Sequence, residues 1–166
     1  TFWMPTLIKS TGVTGALNIG LLSAIPFLCA IVVMNLMGHS ADRRRERRWH
    51  LIVPALMGAV GFAMTAFFAD NTVLSLIFLS LAAAGVLTCA PLFWSLPTAF
   101  LSGTAAAAGI AIVNSVGNLA GFASPYMIGY LKDLTQSTQA GMFVLAGVLV
   151  VGALAVWLTP AKMVNR

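Results

Sequence analysis

The sequence is poor in charged residues and in cysteine. Only 8% of its 166 residues are Asp, Glu, Lys or Arg, and four in all are acidic, whereas 60% are hydrophobic. A soluble domain needs polar and charged side chains to cover its core, so this composition excludes an ordinary soluble globule. The two cysteines both lie inside apolar stretches. We interpret them as small packing residues rather than as a disulfide or a metal site.

Residue patterns typical of catalysis or of nucleic-acid binding are also missing. There is no Ser/His/Asp set, no pair of carboxylates suited to acid–base chemistry and no glycine-rich phosphate loop. No third ligand-type residue is grouped with His39 or His50, so we expect no metal site and no cofactor. The net charge of +5 comes from one loop and the tail rather than from a basic face, which argues against a nucleic-acid partner. We therefore do not expect an enzyme.

Long apolar runs dominate what is present. Each is long enough to cross a hydrocarbon core of about 30 Å, which needs about 20 helical residues. We expect an all-α polytopic membrane protein with five complete spans. Residues 1–9 are expected to be the outer end of a truncated sixth span, which makes the chain a fragment. The predicted complete spans cover residues 14–37, 50–69, 73–96, 104–131 and 138–159.

A short basic block sets the orientation of these spans. It runs from Gly38 to His50 and contains five of the nine basic residues, while residues 10–41 and 71–131 contain no charged residue. Because Lys and Arg concentrate in cytoplasmic loops, we expect three parts of the chain to be cytoplasmic. They are residues 38–50, residues 96–103 and the C-terminus. No carboxylate falls inside a predicted span, so these residues alone cannot form the intramembrane relay that proton-coupled transport uses.

Two asparagines lie at mid-span in the fourth complete span. Asn114 and Asn118 are four residues apart and share a helix face with Gly121. An amide that faced lipid would leave its donors and acceptors unsatisfied, so both should face protein or a water-filled cavity. An interhelical hydrogen bond and contact with a polar organic solute both remain open. Gly117 and Gly121 also predict a helix surrounded by protein.

Trp94 lies near the inner end of the third span, between Pro91 and Pro97. This position is typical of a tryptophan in the interfacial belt. The two prolines also predict a bent or unwound backbone, and broken helices at membrane depth line cavities. Trp94 is therefore a second candidate for lining a substrate cavity.

Three segments resemble a known transporter family. The first segment is the loop after the second of the six spans, Gly38-His39-Ser40-Ala41-Asp42-Arg43. It is similar to the conserved cytoplasmic motif of the major facilitator superfamily, in the copy of that motif that occurs in the second half of the transporter. Together with residues 91–97 and 109–121, the basic block resembles the anion:cation symporter family. That family includes bacterial permeases for tartrate, phthalate, hydroxyphenylacetate and sugar acids. The resemblance covers essentially the whole chain but does not separate these substrates.

The resemblance implies that residues 1–166 form the C-terminal six-helix bundle of a two-bundle fold, with its first helix truncated. In that fold a central cavity lies between the halves and opens alternately to each side. Trp94 and Asn114 match cavity-lining positions, and Asn118 matches a position next to Asn114 on the same helix face. Gly38, Asp42 and Arg43 match the cytoplasmic gating motif. The alternative for Asp42 is a solvated topogenic loop, and we favour the gate because the match from Gly38 to Arg43 is good.

The resemblance also implies a function and its partners. We expect part of a secondary transporter for proton-coupled uptake of a small organic anion, a carboxylate or sugar acid, in a bacterial inner membrane. Relatives carry their proton-binding carboxylates and substrate-binding Arg in the N-terminal half. The expected partners are therefore the anion, protons, the bilayer and that missing six-helix half. The alternative is a non-transporting membrane scaffold or regulatory helical-bundle subunit.

Overall fold

A computed structural model describes residues 4–97, 103–161 and 165 of the chain. The elements in these residues are all α-helices, and five of them, α2 to α6, are long and apolar enough to cross a membrane. The all-α membrane architecture with five complete spans is therefore confirmed. The helices are α1 (Met4–Ser10), α2 (Ala16–Arg44), α3 (Arg48–Phe67), α4 (Thr72–Trp94), α5 (Gly103–Thr135) and α6 (Gln139–Leu158).

The basic block is more helical than its sequence predicts. Instead of ending at residue 37, α2 continues to Arg44, and three residues then connect it to Arg48 at the start of α3. No proline lies between residues 38 and 44, and arginine is favoured at the negative end of the helix dipole. The helix ends where Arg45 adopts a left-handed conformation, with φ of 49°. The N–H of Glu46 then donates to the carbonyl of Ala41 at 3.2 Å.

The third span also differs from its prediction. The sequence predicts a bent or unwound backbone between Pro91 and Pro97, but α4 runs through Pro91 as a helix and ends at Trp94. A proline within a membrane helix removes one hydrogen bond, and the flanking turns can keep the helix intact. The chain leaves the helix at Ser95, whose N–H donates to the carbonyl of Leu92 at 3.3 Å.

The packed centre of the bundle is the crossing of α3 and α4. A Cβ added at Gly61 would lie 2.4 Å from the backbone nitrogen of Ala82, and one added at Gly85 would lie 2.4 Å from the backbone of Gly58. The two backbones are therefore in direct contact, as small residues permit between membrane helices. Against this pair α6 packs on α3 and α2 packs on α4.

By contrast, α5 is peripheral. It packs chiefly on α6, and its one buried side chain in the described residues, Ile128, lies against Gly141. From Ala111 to Ala123 every residue except Val113 is exposed. The predicted enclosure of this helix by protein is thus not provided by the described residues themselves.

Candidate functional site

The structure places the two predicted amides on the exposed part of α5. Asn114 and Asn118 are both exposed, and neither amide forms a hydrogen bond within the described ranges. Apolar side chains flank them, including Val116 and Leu119 at 62% and 69% exposure. An interhelical hydrogen bond inside the described bundle is therefore not what holds these amides. Their face is available to a surface or a solute outside this set of helices.

Trp94 lies at a different place in the bundle. It is the last residue of α4, half-buried, and its indole packs edge-on against Phe93 with ring centroids 5.6 Å apart. Its helix packs on α2 and α3 rather than on α5. The described residues therefore join Asn114 to Asn118 on one face, but they do not bring Trp94 against that pair.

A cavity of about 350 Å³ lies between α5 and the other helices. Its lining is almost entirely apolar, with side-chain hydroxyls from Ser124 and Thr138 and no charged group. Neither the two amides nor Trp94 line it. However, Gly121 and Pro125 do, and Gly121 follows Asn118 by three residues, about 4.5 Å along the helix axis. The cavity therefore lies beside the amide-bearing part of α5 without containing a group that could neutralise an anion.

The predicted gating residues lie within the last turns of α2. Gly38 is half-buried, whereas Asp42 and Arg43 are exposed. The carboxylate of Asp42 forms no ion pair with any cation in the described part of the chain. The backbone of Asp42 is nevertheless ordered, because its carbonyl accepts the N–H of Arg45 at 3.4 Å. Its side chain is free to meet a partner from outside these helices.

A hydrogen-bond network beside this motif was missed by sequence reasoning. Glu46, the second acidic residue of the basic block, accepts from the backbone N–H of Trp49 at 2.9 Å and lies 2.8 Å from Nδ1 of His50. The other ring nitrogen of His50 is 3.0 Å from the hydroxyl of Ser40. The four-residue spacing of Glu46 and His50 is the signal that could have revealed the pair.

Partial burial on its own would raise the pKa of the Glu46 carboxyl. The hydrogen bonds from Trp49, His50 and Asn165 outweigh it and hold the pKa below the ordinary value of 4.5. Glu46 is therefore a carboxylate at neutral pH, and its charge is directed into the network rather than to solvent.

Arginine side chains extend this network to two more helix ends, and the side chain of Asn165 joins it. The guanidinium of Arg47 donates to the carbonyl of Ser95, after α4, at 2.7 Å. That of Arg48 donates to the carbonyl of Trp157, near the end of α6. Asn165 accepts the backbone N–H of Arg47 at 2.9 Å and donates to Glu46 at 3.2 Å. The ends of α2, α4 and α6 and the start of α3 are thus joined at one end of the bundle.

Comparison with known proteins gives a consistent answer. Residues 1–125 match the family model of the Major Facilitator Superfamily. Over 99% of its length the chain is 46% identical to NicT of Pseudomonas putida, provisionally named as a metabolite transport protein. It is 43% identical, over 92% of its length, to a protein of Agrobacterium vitis provisionally named as a tartrate transporter. It is also 36% identical, over 97% of its length, to a quinolone resistance transporter of Acinetobacter baumannii.

These relatives are all longer than the chain. It spans 38%, 33% and 37% of their respective lengths. The chain therefore corresponds to about a third of each relative, and the names of the relatives describe a longer protein than this chain.

Proposed function

Because the chain belongs to the major facilitator superfamily, a family of membrane transporters and not of enzymes, we propose that it is the C-terminal bundle of a proton-coupled importer. Its substrate is a small organic anion, a carboxylate or sugar acid, and its membrane is the inner membrane of a bacterium. The exposed amide pair of α5, Asn114 and Asn118, is the observation that carries this proposal. Similarity to a protein named as a tartrate transporter supports the substrate class.

The amide pair suits such a substrate chemically. An amide N–H donates to carboxylate oxygens, and an amide oxygen accepts from hydroxyl groups. Two amides one helical turn apart can therefore bind a hydroxy acid at two points. Such a polar pair is costly against lipid, so we place this face of α5 against the N-terminal half, with the substrate between them. Trp94 is the third proposed binding residue, and it would line the substrate cavity between the two halves from the end of α4.

Charge neutralisation must come from elsewhere in the transporter. Residues 71–131 contain no charged side chain, and the cavity beside α5 is lined without one. An anion at the amide pair would therefore lack a cationic partner on this half. We propose that the N-terminal half supplies both the substrate-binding cation and the proton-binding carboxylate.

The orientation follows from the basic block. We propose that residues 38–50, residues 96–103 and the C-terminus face the cytoplasm, because arginine-rich loops are retained there. Gly38, Asp42 and Arg43 then form the cytoplasmic gate on this half. We do not favour the scaffold alternative, because the chain is similar over nearly its whole length to proteins that are named as transporters.

Uptake by the full-length protein in proteoliposomes tests the proposal. Radiolabelled tartrate and a panel of sugar acids should enter when an inward proton gradient is imposed, and a protonophore should abolish accumulation. The 166-residue chain alone, reconstituted in the same way, should transport nothing because its cavity has no opposing wall. Absence of gradient-driven uptake of every acid tested, or uptake by the isolated chain, would contradict the proposal.

A further inference from the structure

The structure divides the five arginines of the basic block into two groups. Arg47 and Arg48 are half-buried and donate to backbone carbonyls at the ends of other helices. Arg43, Arg44 and Arg45 are exposed, and in the described residues none of them pairs with a carboxylate. The first group stabilises the bundle internally. The second group places three positive charges on the surface of the bundle.

Little negative charge offsets these three arginines. Glu46 is directed into the network with His50 and Asn165. Asp42 is the other carboxylate of the block, and it is exposed beside them. The end of α2 is therefore a surface with an excess of about two positive charges, held at a helix C-terminus rather than on a flexible loop.

Tryptophans mark the depth of this surface in the bilayer. Trp49, four residues after Arg45, is 53% exposed, and Trp157, whose carbonyl accepts from Arg48, is 52% exposed. Exposed indoles at the ends of membrane helices lie at the level of the lipid headgroups. Because three residues connect α2 to α3, the exposed arginines lie at or just outside that same level.

We propose that Arg44 and Arg45, with Trp49 four residues further along the chain, form a docking surface for the headgroups of anionic phospholipids, while Arg43 belongs to the gating motif. Guanidinium groups bind phosphate through paired hydrogen bonds, and basic residues next to a bilayer attract anionic lipids, each by about fivefold in affinity. The arginines bind the phosphate while the indole packs on the glycerol and upper acyl region. This surface is separate from the proposed substrate cavity, and its ligand is a lipid rather than a transported solute.

Fluorescence quenching by brominated lipid tests the surface in the full-length transporter. The protein is placed in nanodiscs of phosphatidylethanolamine that contain a small fraction of brominated phosphatidylglycerol or, separately, the same fraction of brominated phosphatidylethanolamine. The signal of Trp49 is obtained as the difference between the unchanged protein and W49F. We expect severalfold stronger quenching of Trp49 by the anionic lipid, and we expect high salt to reduce the difference.

Two charge variants and one control decide the outcome. R44Q/R45Q, which leaves the gating-motif residue Arg43 unchanged, should remove most of the preference, and R44K/R45K should retain it. K9Q, which removes a single exposed charge at the end of α1, should have no effect. Equal quenching by both lipids in the unchanged protein, or an undiminished preference in R44Q/R45Q, would overturn the proposal. Because the measurement follows lipid contact, it is independent of whether the protein transports an organic anion.

Discussion

The side-chain oxygen of Asn165 accepts the backbone N–H of Arg47 at 2.9 Å and that of Arg48 at 3.3 Å. Arg47 immediately precedes α3 and provides no side-chain cap of its own. The first turn of a helix has N–H groups without partners inside the helix. A residue near the end of the chain therefore supplies the cap for a helix that begins more than a hundred residues earlier.

Removing that cap should destabilise the bundle. Asn165→Ala is expected to lower the free energy of unfolding by about 1 kcal/mol, the usual effect of losing an N-cap. Asn71→Ala is a matched control, because Asn71 caps α4 locally by accepting the N–H of Leu74 at 3.0 Å. Thermal unfolding of the full-length protein in detergent measures both. A loss for Asn71→Ala with none for Asn165→Ala would show that the tail does not act as a cap.

The ionised form of Glu46 should stabilise the bundle in a pH-dependent way. Its pKa in the folded protein lies below 4.5, so the folded state favours the carboxylate. The stabilisation is complete above pH 4.5, the ordinary pKa of the carboxyl. It is lost as the pH falls through the lower pKa that Glu46 has in the folded protein. Glu46→Gln is expected to cost roughly 1 kcal/mol at neutral pH, and the difference from the unchanged protein should shrink in acid. A difference that stays constant across the acid range would contradict this explanation.

Asn114→Ala should weaken substrate binding. Loss of a hydrogen bond to a charged group costs roughly 1.5–3 kcal/mol, so the apparent KM should rise about ten- to a hundredfold with normal expression. Asn114→Ser retains a shorter polar group and tests reach into the cavity. Asn35→Ala is the matched control, because Asn35 is also exposed on a membrane helix but donates to its own helix at the Ile31 carbonyl, at 2.7 Å. Unchanged affinity in both Asn114 variants would show that the Asn114 amide does not bind the substrate.

Gly61→Ala should disrupt the crossing of α3 and α4. The added methyl group would meet the backbone of Ala82 at 2.4 Å, which no side-chain rotation can relieve. We expect a loss of about 1–3 kcal/mol in stability and a lower folded yield. Gly147→Ala on α6 is the control, since nothing in the described bundle lies within 4 Å of its added methyl group. Size-exclusion profiles of the two variants should differ clearly, and equal profiles would contradict the close contact.

Asp42→Asn should shift the full-length transporter toward its inward-open state, because the exposed carboxylate is proposed to pair across the cytoplasmic gate. The shift should be at most about fivefold, since an exposed ion pair contributes roughly 0–1 kcal/mol. Cysteine accessibility from each side of the membrane measures it. Asp70→Asn, at the exposed turn before α4, should leave accessibility unchanged. If Asp42→Asn behaves the same, the residue belongs to a solvated topogenic loop.

Much of the candidate site was predictable from the sequence, but its surroundings were not. The four-residue spacing put Asn114 and Asn118 on one face of α5, since that follows from helix geometry alone. The sequence could not show that this face is exposed in the described bundle. Nor could it separate Trp94 from the pair, because that depends on which helix packs beside α4.

By itself, the sequence determined the number of spans, the all-α class and the family. Whether a segment can cross a bilayer depends on its own length and apolar composition, and the cytoplasmic motif is a local string of residues. The tertiary structure alone decided which arginines face inward, that Asn165 caps α3, and that Gly61 and Gly85 lie at a backbone contact. These facts depend on how helices far apart in the chain cross one another. A glycine at a crossing and one facing outward look the same in the sequence.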